Sequence, residues 1–150
     1  MSDPSDSTVP LPNHPRPLSP HLQVYNLPMT ARMSITHRAT GLLLMMGLLV
    51  IAAVLITAAF KPDCYERIMA YAATDIGTGF LFAWSLAFFY HLCNGVRHML
   101  WDVTFMLTLR GARITNWIVI IMALGLTVST WYCVQHFGGQ EAAEVMIDEQ

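Results

Sequence analysis

The chain has 150 residues, 55% of them hydrophobic and only 12% charged, whereas a soluble domain carries about a quarter of its residues as charges. Its net charge of −2 is bunched between long apolar stretches. That pattern points to a membrane protein and away from a nucleic-acid-binding one.

Residues 1–20 hold six of the eight prolines together with several Ser and Asp, so residues 1–28 are expected to be extended unless a partner orders them. Asp3 and Asp6 precede the first basic residue, Arg16. This argues against both a secretory signal and an Arg-rich transit peptide, and favours a bacterial inner (cytoplasmic) membrane over the mitochondrial inner membrane. Pro28 is the last break before a helix expected to start near Met29 or Thr30, with Thr30 as its N-cap.

Three uncharged stretches follow. The first is Ala39 to Phe60. The second is Ile76 to Val96, where His91 is the only ionisable group besides Tyr90 and Cys93. The third is Ile114 to about Val134. A hydrocarbon core about 30 Å thick needs roughly 20 helical residues to cross it. The fold class is therefore an all-α membrane protein, with spans at about 39–60, 76–96 and 114–134 inside a membrane part 29–137.

Lys61-Pro62-Asp63 ends the first span, and Asp75 suits the N-terminal end of the second. The connections 61–75 and 97–113 are too short for a soluble domain, so the bulk of any catalytic machinery must lie on other chains. Gly111 is expected to mark the turn into the third span, with Trp117 and Trp131 near its two ends as interfacial aromatics. Gly138-Gly139 is expected to release the chain into an acidic tail, 138–150. Cys64, Cys93 and Cys133 form no CxxC pair and read as isolated thiols.

Six of the eight basic residues (Arg16, Arg32, Arg38, Arg97, Arg110 and Arg113) flank one side of the spans, and Lys61 and Arg67 flank the other. The positive-inside rule puts the N-terminus and the second connection in the cytoplasm, or in a mitochondrial matrix. The C-terminus then lies on the opposite face.

In FYHLCNGVRHMLWD, residues 89–102, His91, Gly95, His98 and Asp102 are spaced by four, three and four. They form one helical stripe about 16 Å long. Lipid cannot satisfy such a stripe, so it faces a bundle interior. Gly95 leaves room beside His91 for a flat macrocycle, which makes haem one explanation. A histidine bonded to a neighbouring helix, with Gly95 serving close packing, is the other. His91 and His98 lie about 10.5 Å apart along one face. They cannot both ligate one iron, so a second ligand to His91 would come from another helix. Ser34, His37, Arg38 and Gly41 form a second stripe at the same end as His98. Its donors suit a carbonyl that gains negative charge, or a pair of carboxylates. Interfacial anchoring, with arginines reaching lipid headgroups, is the alternative.

RPLSPHLQVYNLPMTARMSITHRATG, residues 16–41, resembles the N-terminal signature of the succinate dehydrogenase cytochrome b subunit family, and HLCNGVRHMLWD, residues 91–102, resembles that family's second signature. The resemblance spans Arg16 to Phe137. It implies the larger of two membrane anchors of respiratory complex II, a bundle completed by a small second anchor subunit. It implies a haem b shared with that subunit, with His91 as one axial ligand. It also implies ubiquinone as substrate, with Ser34 and Arg38 lining its site. His37 would lie near the haem propionates, Gly95 and His98 would line the pocket, and Asp102 would offer a proton path. The partners implied are a flavoprotein subunit carrying FAD, an iron–sulfur subunit carrying its clusters, the small anchor and phospholipid. A non-redox assembly anchor and an anchor of a quinol-fumarate reductase are the competing readings. A small transporter is disfavoured by the lack of inverted repeats and broken helices.

Overall fold

A computed structural model describes residues 26–148, with side chains through residue 137. The expected extended segment therefore lies almost wholly outside the described residues, as do the first ten residues of the N-terminal signature. Four helices follow in order: α1 Met29–Phe60, α2 Pro62–Ala72, α3 Asp75–Asp102 and α4 Leu109–Asp148. No strand occurs among the described residues. α1, α3 and α4 are long and apolar enough to cross a membrane, and each contains one expected span.

The helices outrun the spans. At 1.5 Å per residue, the 28 residues of α3 reach about 42 Å, more than the hydrocarbon thickness. The last turns of α3 and the first turns of α1 thus stand at one membrane edge, where their polar side chains can meet water and partners.

Several expectations about the connections need correcting. Within the first connection, residues 62–72 form the helix α2. Pro62 takes the first helical position, where its missing N–H costs nothing, and Asp63 complements the dipole. Half-buried Tyr65, Ile68 and Ala72 line one face, and Asp63, Glu66 and Arg67 are exposed. This is an amphipathic helix suited to a membrane surface. The second connection shrinks to residues 103–108, because α3 runs on to Asp102. There Thr104 and Met106 adopt φ of 61° and 56°, a left-handed geometry costing about 1–2 kcal/mol each. Gly111 lies inside α4 rather than at the turn, and is needed because a Cβ there would stand 2.6 Å from the Met106 carbonyl oxygen. Thr108 caps α4 by accepting from the Gly111 N–H at 3.1 Å. Thr30 is not the N-cap of α1. Pro28 holds that position, and the Thr30 hydroxyl instead accepts from Asn116 Nδ2 at 3.4 Å. Gly138 and Gly139 lie within α4 and do not end it. Each costs about 1 kcal/mol against Ala, too little to break a continuous ladder of backbone bonds. The acidic side chains beyond them lie outside the described ones.

Packing inverts the soluble pattern. The largest fully buried side chains are polar: Asn94, Asn116 and Thr127. Leu48, Leu49, Ile76 and Ile121 point outward. Among lipid tails, apolar burial drives helices together only weakly, so close contacts and interhelical hydrogen bonds take over. Gly47 supplies one such contact. The Trp84 indole of α3 occupies the place where a Cβ of Gly47 would stand. At the same end as α2, Trp131 of α4 donates to Ser85 Oγ at 3.3 Å.

Candidate functional site

At the opposite end, α1 and α3 run antiparallel and bring the two sequence stripes together. Tyr90 donates its hydroxyl to the Met33 carbonyl at 3.0 Å, which fixes the register. One turn deeper, the His37 and His91 rings stack with centroids 4.0 Å apart and planes 12° apart. His98 lies on the other side of His37, with centroids 5.2 Å apart. Three imidazoles from two helices thus form one row.

The protonation of His91 follows from its neighbours. Nδ1 lies 3.1 Å from the His37 carbonyl oxygen, which can only accept. It also lies 3.2 Å from Thr40 Oγ1, whose own proton is directed at the His37 carbonyl at 2.9 Å or the Thr36 carbonyl at 3.0 Å. Nδ1 therefore carries the proton and Nε2 presents its lone pair. This is the arrangement of a histidine prepared to bind a metal through Nε2. Gly41 makes it possible, because a Cβ there would stand 2.8 Å from His91 Cε1.

The surface beside Gly95 is open. The side chain nearest to its missing Cβ is His37, with Cε1 3.9 Å away. Gly95 therefore borders His37, and the glycine pressed against His91 is Gly41. His37 Nδ1 is buried without a hydrogen-bond partner.

Ser34 and His98 share a cavity of about 390 Å³ with Pro28, Thr30, Arg97 and Trp101. Arg38 does not line it and is exposed on α1. Asp102 is exposed as the last residue of α3. Ser34, His37, His91 and His98 are thus gathered at one end of the bundle, whereas Arg38 and Asp102 stand at its rim.

A buried polar network beside this row was not read as a unit from the sequence. Arg97 is 3% exposed and Asn94 is fully buried. The guanidinium donates from Nη1 to Asn94 Oδ1 at 3.0 Å and from Nε to Thr115 Oγ1 at 3.1 Å, and it lies 4.0 Å over the Trp101 ring. Trp101 is held edge-on against His98 as well, with centroids 5.6 Å apart. The signal was present: Asn94, Arg97 and Trp101 follow a spacing of three and four, one helix face, offset from the histidine stripe.

Residues 12–130 match a family described as succinate dehydrogenase/fumarate reductase transmembrane subunit. The succinate dehydrogenase cytochrome b556 subunit of Rickettsia felis is 36% identical over 116 residues, covering 77% of this chain and 90% of its own. The cytochrome b556 subunit of Paracoccus denitrificans is 35% identical over 115 residues, 77% of this chain and 88% of its own. The cytochrome b560 subunit of Reclinomonas americana is 33% identical over 122 residues, 77% and 84%. Three membrane-spanning helices, a histidine row between two of them and a match running from before α1 into α4 lead to one assignment: the chain belongs to the succinate dehydrogenase/fumarate reductase transmembrane subunit family.

Proposed function

We propose that the chain is the larger membrane anchor of a succinate:quinone oxidoreductase, contributing one axial ligand to a haem b and part of a quinone-reduction site. The observation that carries this reading is the state of His91: Nδ1–H is committed to the His37 carbonyl and Thr40, and Nε2 has no partner among the described residues. A haem fits these residues. Nε2 offers the axial nitrogen, and the unpartnered His37 Nδ1 suits a propionate oxygen. When bound, the haem supplies a one-electron carrier.

The second axial ligand belongs to the small anchor in this reading. Axial nitrogens approach an iron from opposite sides, whereas His37 lies face to face with His91, and stacked rings cannot point at one atom from opposite directions. His98 is farther along the same row.

Quinone reduction takes two electrons and two protons, and negative charge builds on the carbonyl oxygens as electrons arrive. Ser34, in the wall of the 390 Å³ cavity, donates a hydrogen bond to one carbonyl. Arg38, one turn along α1 at the rim, adds positive charge and a guanidinium donor. His98 lines the same cavity, and Asp102, exposed one turn farther along α3, continues its stripe toward water, so the two offer a route for protons. Electrons come from succinate oxidised on a flavoprotein subunit carrying FAD, by way of the clusters of an iron–sulfur subunit. Both dock on the cytoplasmic side, where most of the basic residues lie.

The test is His91→Leu in the assembled complex in membranes. The b-type absorption is lost or strongly altered, while the anchor stays inserted and succinate oxidation with a soluble dye persists. An unchanged spectrum and midpoint potential would overturn the ligand assignment.

A further inference from the structure

Arg97 is the one side chain of permanent charge that is buried among the described residues. Its guanidinium donates to Asn94 Oδ1 and Thr115 Oγ1, approaches the Met33 sulfur at 3.9 Å and covers the Trp101 ring. All four partners are neutral. Taking a full charge out of water with no opposite charge beside it is costly, and bonds to neutral groups recover only part of the loss. Joining α3 to α4 does not by itself require a charge, because a well-packed apolar side chain of similar volume usually serves as well. The charge therefore calls for a use.

Its position supplies one. The bond to Asn94, at 3.0 Å, folds the guanidinium back toward the N-terminal end of α3, so the charge stands beside Asn94. Asn94 is three residues beyond His91, about 4.5 Å along the helix. On the α1 side the guanidinium meets Met33, one turn before His37 and the residue whose carbonyl receives the Tyr90 hydroxyl. The charge thus lies within about one helix diameter, roughly 10 Å, of the imidazole row. A porphyrin iron held by His91 gains one negative charge when it takes up an electron. A fixed cation at that range, shielded from water and salt, stabilises the reduced form. We infer that the buried Arg97 charge sets the redox potential of the b haem, holding it above the value that its axial ligands alone would give. Two unit charges about 10 Å apart, at an effective dielectric constant of about 20, shift a one-electron equilibrium on the order of tenfold. Exposed bases at the same end, such as Arg113, are screened and contribute little. This inference rests on the reading of His91 as an axial ligand.

The test is an optical redox titration of the b haem in the intact complex in membranes. Arg97→Gln keeps an amide donor and removes the charge. Arg97→Met also removes the charge and fills the space with an apolar chain, an exchange that buried ionic sites tolerate well, so it serves if Arg97→Gln does not assemble. Both variants hold the electron about tenfold more weakly, a fall of about 59 mV in midpoint potential, with the b-type absorption bands in place. Thr115→Val breaks the same network but leaves the charge, less compensated than before, and the midpoint stays or rises. Arg113→Gln removes an exposed charge from the same end and leaves the midpoint unchanged. An unmoved midpoint in the Arg97 variants overturns the inference. So does an equal fall in Thr115→Val, which would assign the effect to packing, or in Arg113→Gln, which would assign it to surface charge. A b haem that persists unaltered in His91→Leu overturns the underlying reading instead.

Discussion

Gly41 and Gly95 offer a matched pair of one-methyl perturbations with opposite expected outcomes. A Cβ at Gly41 stands 2.8 Å from His91 Cε1, inside the contact distance of two carbons, whereas one at Gly95 meets nothing closer than His37 Cε1 at 3.9 Å. Gly41→Ala must push the His91 ring away from α1, stretching its bonds to the His37 carbonyl and Thr40, already 3.1 and 3.2 Å long. Overpacking of this kind costs about 1–3 kcal/mol, and the higher helix propensity of Ala returns at most about 1 kcal/mol. The net is a loss of up to about 2 kcal/mol, concentrated on His91. Gly95→Ala gains propensity without a clash and is neutral or slightly stabilising. The assay is the optical spectrum and redox titration of the b haem in the assembled complex, with its thermal melt. Gly41→Ala shifts the midpoint potential and lowers the melting temperature, and Gly95→Ala leaves both nearly unchanged. The reverse pattern would refute the placement of His91 against Gly41.

Other outcomes follow from the same geometry. Thr40→Val removes one of the two acceptors at His91 Nδ1, which weakens electron donation by the ring. The haem midpoint potential then rises, and an unchanged titration would rule out the assigned tautomer support. Ser34→Ala lowers quinone reduction by up to about 10²–10³, the typical worth of one donor to a developing oxyanion, with dye-coupled succinate oxidation retained. Arg38→Ala acts in the same direction, and equal loss of both activities in either variant would indicate failed assembly instead. A reporter fused after Gln150 lies on the periplasmic or intermembrane side and one inserted near Arg110 is cytoplasmic. A cytoplasmic C-terminal reporter would overturn both the orientation and the docking face.

The membrane architecture was legible from one-dimensional pattern. Uninterrupted apolar runs such as Ala39 to Phe60 have no stable place except hydrocarbon, whatever packs beside them, so composition alone selected three spans. Stripes at helical spacing were equally legible, because i, i+3 and i+4 residues share a face in any α-helix. That is why the stripe of Ser34, His37 and Arg38 could be placed at the end that holds His98. Local spacing says nothing about which neighbour fills the space opposite a residue. Gly95 and Gly41 look alike in sequence, and only the antiparallel register of α1 and α3, set by contacts such as Tyr90 to the Met33 carbonyl, gives His91 to Gly41 and His37 to Gly95. The same holds for Arg97. Flanking basic residues count toward orientation by number alone, but whether a guanidinium reaches lipid headgroups or is buried against Asn94, Thr115 and Trp101 depends on where α4 returns. The left-handed turn at Thr104 and Met106, which no Gly or Pro announces, sets that return. Propensity and hydropathy are properties of a segment, whereas partners, tautomers and unpaired donors are properties of pairs of segments, and only the tertiary structure decides them.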